Sequence, residues 1–288
     1  MFDGERWQEV DTLYNEKNYD VYRTNILCDN ENNIHLLISI AYGAFGRIYY
    51  MKREGNNWSE LKQISVDSLG NTSDHDMVID NTGKIYIFFH SNNIYYRTLK
   101  DTVLSDPINL TNLDLNQYTA TEPTVAINSH NNIYLSYALT DNISRVSEIY
   151  FKQFNDSQWS DAEILSQIND LSAYNPYITV DQSNNPHVVW RQGQQEELYY
   201  ILYTTRFIGQ WTVPINISNI PNSSSYRPKI NLYKGKPIVF FHNINENGEE
   251  ENYYSYLSDD VWSVSKFDVD INTSPQQMIR MNFGMIFF

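Results

Sequence analysis

The fold class that this sequence predicts is an all-β, six-bladed propeller, and three observations predict it. A tryptophan turn recurs at a period of about fifty residues, which is in the range of a propeller blade. Each interval holds four short, strand-like runs. No stretch shows a convincing helical periodicity. The turn phrases are "MFDGERWQEV", "REGNNWSEL", "NDSQWSDA", "FIGQWTVP" and "SDDVWSVS", carrying Trp7, Trp58, Trp159, Trp211 and Trp262. The separations between these tryptophans are 51, 101, 52 and 51 residues. The double gap holds one degenerate unit, "TLKDTVLSDPINLT", in which Leu104 stands where Trp belongs.

The four runs of a unit follow in fixed order. The first reads "TNILCD", "DMVID", "PTVAIN", "PYITVD", "PKINLY" and "QMIRMN". After an Asn/Gly turn comes the second: "IHLLIS", "IYIFFH", "IYLSYA", "PHVVWR", "PIVFFH" and "MIFF". The third is "RIYYMK", "NIYYRT", "EIYFKQ", "LYYILYTT" and "NYYSYL", and the fourth follows the tryptophan turn. Short alternating runs bounded by Asn, Asp, Gly and Pro read as antiparallel strands. Four strands per unit and six units describe a propeller. Radial packing lets each blade bury both faces against its neighbours, with the tryptophans and the second and third strands filling the interfaces.

The whole chain, residues 1–288, is expected to be one domain. Five units are continuous, at about 21–66, 73–112, 121–167, 174–219 and 225–269. The sixth is split. "SPQQMIRMNFGMIFF" matches "SYRPKINLYKGKPIVFF" and stops after a second strand, while "MFDGERWQEV" supplies a turn, a Trp and a fourth strand. Residues 1–15 and 270–288 therefore read as two parts of one blade that closes the ring and removes open sheet edges. A third strand for it is not evident.

Composition agrees. Aromatic residues make up 15% of the chain, with 23 tyrosines, a bias that suits half-buried pleated surfaces. The formal net charge of -15 argues against a nucleic-acid partner and against an anionic membrane surface. No run approaches the length of a transmembrane helix, so membrane insertion is not expected. The start shows neither the basic head nor the apolar stretch of a signal peptide, and the compartment stays open. It is cytoplasmic, or a module of an exported protein. The acidic stretch "NENGEEE" reads as a solvated loop, and the Asn-x-Ser/Thr sequons as chance in an Asn-rich chain. The single cysteine, Cys28 in "TNILCD", is expected to be a small core residue.

In a propeller the first strand of each blade lines the central channel, so its start and the end of the second strand open on one rim. At the start of the first strand stand Arg23, Asp74, Glu122, Asn175, Arg227 and Gln276. Two residues on, facing the same way, are Asn25, Asp76, Thr124, Tyr177, Lys229 and Met278. Just before are Tyr22, Ser73, Thr121, Tyr174, Tyr226 and Pro275. The second strands end at Ser39, His90, Ala138, Arg191 and His242. The apolar positions of the repeat stay apolar from unit to unit, whereas these positions differ and are nearly all polar. Converging unlike polar groups mark a ligand site. The ligand-binding candidates are Arg23, Asp74, Glu122, Asn175, Tyr177, Arg191, Arg227, His90 and His242. The plain alternative is a wet rim, with Arg23 and Arg227 pairing with Asp74, Asp76 or Glu122. His35 and His187 share a repeat position that also accepts Tyr86, Tyr134 and Ile238, so they read as packing residues. No zinc spacing, phosphate loop or nucleophile elbow is present, and neither a metal nor a cofactor is indicated.

The repeated unit, with its "I-Y-Y", "G-x-W" and "I-S" landmarks, resembles the repeats of bacterial sialidase-like, BNR-type six-bladed propellers. The resemblance covers nearly the whole chain at the level of the repeat. It implies a sugar carboxylate held by three arginines, a Tyr/Glu nucleophile pair and an Asp acid/base. The full Asp box, Ser-x-Asp-x-Gly-x-x-Trp, is absent, as is the Arg-Ile-Pro motif. "YRPKI" and "YRTNI" place Arg227 and Arg23 alike, and with Arg191 they form a candidate carboxylate clamp. Tyr22, Tyr174 and Tyr226 are the candidate nucleophiles and Asp74 and Asp76 the candidate acids.

Three functions stay open. One is a non-catalytic, lectin-like propeller that takes a glycan at the rim. A second is a protein-interaction scaffold within a larger assembly. The third is a sialidase-like glycoside hydrolase, for which the catalytic candidates are Asp74, Asp76, Glu122 and Tyr226, since a pair of carboxylates on adjacent blades can flank a glycosidic bond. The partner is thus a glycan or a protein, and the oligomeric state is left open.

Overall fold

The computed structural model describes residue 13 and residues 20–43, 45–166, 171–193, 198–267, 279–281 and 284–286, of which 22, 42, 279–281 and 284–286 are described as backbone only. Among the described residues the regular structure is antiparallel strand, apart from one 3-10 turn at Asp67–Leu69. No helix there is long and apolar enough to cross a membrane.

Five sheets follow in chain order. The first contains β1 (Asp20–Cys28), β2 (Ile34–Tyr42), β3 (Phe45–Glu54), β4 (Asn57–Trp58) and β5 (Lys62–Gln63). The second contains β6 (His75–Ile79), β7 (Ile85–Ser91), β8 (Asn93–Lys100), β9 (Val103–Leu104) and β10 (Ile108–Asn109). The third contains β11 (Tyr118–Ile127), β12 (Ile133–Asp141), β13 (Ser147–Asn155), β14 (Gln158–Trp159) and β15 (Glu163–Ile164). The fourth contains β16 (Ser172–Val180), β17 (Pro186–Gly193), β18 (Tyr200–Phe207), β19 (Gln210–Trp211) and β20 (Ile215–Asn216). The fifth contains β21 (Ser224–Tyr233), β22 (Lys236–Ile244), β23 (Glu250–Ser258) and β24 (Val261–Phe267). In the first four sheets the fourth strand is broken, and both pieces pair with the third, as in Arg53↔Trp58 and Tyr49↔Gln63. A separate hairpin joins β25 (Ile279–Met281) to β26 (Gly284–Ile286). Apart from Leu13 and this hairpin, the expected split blade lies outside the described residues, as do Trp7, Pro275, Gln276 and Met278.

The turn between the first and second strands repeats one device. Asp29 Oδ1 accepts from the backbone N–H of Glu31 at 2.9 Å and of Asn33 at 2.8 Å. Asp80 and Asn128 accept in the same way, and Asp181 receives Asn185 N–H at 2.8 Å; in the fifth sheet Asn245 makes this turn between the second and third strands instead. Such side-chain turns explain the recurring Asx residue at this place. His35 is tied to it, with Nε2 3.1 Å from Asp29 Oδ2 and Nδ1 2.7 Å from the Tyr50 hydroxyl. His187 repeats the arrangement between Asp181 and Tyr203. Both histidines are therefore parts of the turn and the core.

Each pair of neighbouring sheets encloses its own apolar layer. Leu37 and Ile48 meet Ile87 and Phe89; Phe88 and Ile94 meet Val125 and Leu135; Phe151 meets Val188 and Trp190; Val189 and Tyr203 meet Ile230 and Phe241. In the third, fourth and fifth sheets the tryptophan of the turn reaches onto the preceding sheet, whereas Trp58 packs against Leu36, Ile38 and Ile40 of its own sheet. Trp159 meets Phe88 edge-on at 5.9 Å, Trp211 meets Phe151 at 4.9 Å, and Trp262 meets Tyr203 at 4.8 Å. Leu104, in the degenerate unit, packs against the layer of the first two sheets. Edge-to-face pairs add about 0.5–1.5 kcal/mol beyond the burial of area.

Cys28 departs from expectation. It is free and exposed, not part of the core. Alternation in β1 sends Leu27 to the packed face, and Cys28 shares the other face with Thr24 and Ile26, which are also exposed.

Phe151 is fully buried beneath Trp211, so Phe151→Ala is expected to lower the unfolding free energy by about 3–5 kcal/mol in urea titrations. Ile164, on the outer edge and 46% exposed, is expected to tolerate Ala within about 0.5 kcal/mol.

Candidate functional site

The first strands β1, β6, β11, β16 and β21 lie side by side in chain order, and Arg23, Asp76, Thr124, Tyr177 and Lys229, one from each, line a common cavity of about 290 Å³. This is the channel. Above it is the rim, where the first strands start and the second strands end.

The rim is shaped by bulges that repeat in three sheets. Thr121 pairs with Ala138 and Thr124 with Ser136, so Glu122 and Pro123 together face Tyr137. Asn175 and Pro176 face Trp190 in the fourth sheet, and Arg227 and Pro228 face Phe241 in the fifth. The first residue of each bulge has positive φ: 55° at Glu122, 52° at Asn175 and 51° at Arg227. The following proline has no N–H to lose from the ladder. The first sheet is different, since Arg23 pairs directly with Ser39 and its irregularity falls between Val21 and Arg23. Equal spacing in sequence thus hides two backbone settings. A bulge re-aims its side chain, and that decides what Glu122, Asn175 and Arg227 touch.

On one arc the rim residues are tied to one another. Arg23 pairs with Asp74, and His90 Nδ1 stands 3.2 Å from the other oxygen of the same carboxylate. Burial alone would raise the Asp74 carboxyl. The bond from His90 and the charge of Arg23 outweigh it and hold the group at about 2. Glu122 accepts from Asn175 twice, from the backbone N–H at 2.6 Å and from Nδ2 at 2.5 Å. Burial, reinforced by Asp74, pushes the Glu122 carboxyl up, against the pull of the Asn175 bond. Asp76 is buried lower in the channel and links three sheets. It accepts from Asn25 Nδ2 at 2.5 Å, Met77 N–H at 2.9 Å and Val125 N–H at 2.8 Å. Its burial raises its pKa in spite of these donors. His75 beside it is driven down to about 3 by burial and by Arg23, and is neutral.

The other described rim residues are tied to no such partners. Arg191, on β17, lies over three tyrosine rings: Tyr199 at 4.6 Å, Tyr174 at 5.2 Å and Tyr226 at 5.3 Å. Its Nε is buried without a hydrogen-bond partner among the described residues. Arg227 and His242 stand exposed beside it, His242 in register with Tyr226. Tyr177 is not on this surface; its ring supports the Lys229 ammonium in the channel at 3.9 Å, and burial raises its hydroxyl pKa. The side chain of Tyr22 lies outside the described residues. Sequence spacing separates neither Arg191 from Arg23 nor their partners. It missed Tyr199, which starts the third strand after a loop, and His75, which sits between two rim positions. The tyrosine pair "LYY" was the only local signal for Tyr199.

The folded-state pKa of Asp74 lies below the ordinary 3.8, so its ionised form stabilises the fold fully above that value and ceases to do so as pH falls through about 2. The shift corresponds to about 2 kcal/mol. Asp74→Asn is expected to be less stable by about that amount in urea at pH 7, with the gap to the parent closing toward pH 2.

No family model matches the sequence, and no curated protein matches it either. Solved structures do. A protein of unknown function from Dyadobacter fermentans is similar over 89% of this chain and 85% of its own, with a TM-score of 0.68 and 11% identity. An ulvan lyase of polysaccharide lyase family PL25, solved bound to -[GlcA(1-4)Rha3S]-, is similar over 90% of this chain and 71% of its own, with a TM-score of 0.62 and 13% identity. The α-L-arabinanase of Penicillium chrysogenum, complexed with arabinobiose, is similar over 86% of this chain and 93% of its own, with a TM-score of 0.54 and 11% identity. At such identities the likeness is one of fold, and the fold is the β-propeller.

Proposed function

We propose that this protein is a carbohydrate-binding propeller that takes an acidic glycan on the open quarter of its rim, between the fourth and fifth sheets. The observation that carries this reading is Arg191, stacked among Tyr174, Tyr199 and Tyr226 without an ion-pair partner among the described residues, beside exposed Arg227 and His242. Tyrosine faces suit sugar rings, and arginine suits carboxylate or sulfate in a bidentate grip. The acidic saccharide held by the ulvan lyase of the same fold is in keeping with this chemistry. Arg23, by contrast, is neutralised by Asp74 and belongs to the architecture.

The carboxylates favour binding over hydrolysis. Asp74 stays ionised far below neutral pH and is a poor proton donor. Asp76 has its oxygens taken by three N–H donors, and Glu122 holds Asn175. A scaffold role would draw on another surface: Phe207 and Ile208, 61% and 84% exposed, project from the β18–β19 hairpin.

The test is binding to an array of acidic and neutral glycans. Arg191→Ala and Arg227→Ala are each expected to weaken binding to acidic probes at least about ten-fold, and added salt to weaken it further. Equal binding by the variants, or turnover of a bound glycan, would refute this reading.

The same reading takes the ring as six-bladed, with residues 1–15 and 270–288 completing the blade between the fifth and first sheets. Deleting residues 1–15 is then expected to lower the melting temperature and expose the apolar layer of Leu36, Ile38 and Ile40 to a hydrophobic dye. An unchanged melting temperature would argue against the split blade.

A further inference from the structure

Tyr199 reaches Arg191 because of the residue that ends β17. Gly193 pairs with Ser172 on β16 and is buried. It does not have the positive φ of the turn glycines Gly209, Gly235 and Gly248. A Cβ built on Gly193 would stand 2.5 Å from the Leu198 carbonyl oxygen, 2.9 Å from Tyr199 Cδ1 and 3.0 Å from Tyr199 Cα. A Cβ on any of the three turn glycines would meet nothing within 4 Å. Two of the three atoms crowding Gly193 are main chain, so no side-chain rotation relieves the overlap. Close approach of one backbone to another calls for glycine.

The other sheets place different sizes here. Near its start the third strand repeats one anchor to the next sheet. Gly46 N–H donates to Asn71 Oδ1 at 2.6 Å, Ser147 N–H to Ser172 Oγ at 3.2 Å and Tyr199 N–H to Ser224 Oγ at 3.2 Å. In the first and third sheets the anchored residue is small and faces a side chain across the hairpin, as Gly46↔Ala41 and Ser147↔Thr140. In the fourth sheet the sizes are exchanged. The ladder between β17 and β18 stops at Gln192↔Tyr200, and Tyr199 lies against Gly193. The Tyr199 carbonyl accepts from Ser225 N–H at 2.8 Å, so its main chain is held on both sides. Its ring is the nearest of the three to the Arg191 guanidinium, at 4.6 Å, and leans on Tyr226 with ring centres 5.4 Å apart.

We propose that Gly193 is the positioning residue of the rim. Its missing side chain admits the Leu198–Tyr199 main chain, which seats the Tyr199 ring against Arg191 and directs the guanidinium toward an anionic group of the ligand. A methyl group at 193 would force that main chain to withdraw and take the ring off the guanidinium. The guanidinium would then have to be ordered at the moment of binding, at a cost in affinity. The binding half of this role rests on the rim taking an acidic glycan; the seating of Arg191 does not.

The test compares Gly193→Ala, Tyr199→Ser and the double variant in the full chain, by NMR of the Arg191 side chain, melting temperature and binding to the acidic glycan array. In the parent the Arg191 Hε resonance is expected upfield of that of exposed Arg227, because the tyrosine faces shield it. Gly193→Ala and Tyr199→Ser are each expected to move it back downfield. Gly193→Ala is expected to weaken binding to acidic probes at least about five-fold. It is expected to lower the melting temperature of the parent and to change that of Tyr199→Ser little, because residues in contact couple. An Arg191 resonance unmoved by Gly193→Ala, or an equal loss of melting temperature in both backgrounds, would overturn the proposal. A shielded Arg191 and a coupled pair in a protein that binds no acidic glycan would overturn the rim's ligand and uphold the seating by Gly193. Should Gly193→Ala not fold alone, a folded double variant supports the proposal and an unfolded one overturns it.

Discussion

Each of the five successive sheets carries apolar residues on both faces, and that constraint governs the rest of the molecule. A sheet of this kind cannot be stable alone in water, because one face or both would stay wet. Stacking around an axis resolves the problem, since each layer is shared by two neighbours. The tryptophan turn is the local expression of the constraint. It is placed where the fourth strand begins, so that Trp159, Trp211 and Trp262 reach onto an aromatic ring of the preceding sheet. The fourth strand breaks just beyond the turn in the first four sheets, and its outer residues remain exposed.

Radial stacking brings five first strands together at the axis, and their polar residues meet there. Charge inside such a channel is costly unless paired or hydrogen-bonded. The arc from the first to the fourth sheet meets this cost by contacts between neighbouring sheets: Arg23 with Asp74, Asn25 with Asp76, Asp76 with the Val125 backbone, Glu122 with Asn175. Those residues are rivets between blades. The quarter between the fourth and fifth sheets is built from arginine and tyrosine instead. Stacking satisfies the face of the Arg191 guanidinium, and among the described residues its N–H edge has no carboxylate partner. An asymmetric rim is the result, part fastening and part receptive surface.

Much of this was legible in the sequence. The fifty-residue period, the strand order and even the degenerate unit at Leu104 survive in the folded chain, because they reflect burial that every unit needs. His35 and His187 were legible as packing residues, since other units replace them by Tyr or Ile. The bulges were not found, although "EP", "NP" and "RP" recur at one place in three consecutive units. A residue before proline at a strand start has no single backbone setting, and the register across the hairpin selects positive φ. Cys28 was misplaced because a short apolar run does not show which of its two faces is packed.

The sequence by itself determined which residues repeat and therefore which lie in the layers between sheets. Apolar burial follows from local pattern, and it needs only that some neighbour be present. It also identified nearly every residue of the rim and channel. Only the tertiary structure decided which of those are free. Arg23 and Arg191 both read as rim arginines in the sequence, yet one faces Asp74 across a sheet boundary and the other faces three tyrosines. A charge's availability depends on the partner within a few ångströms, and here that partner comes from another blade about fifty residues away.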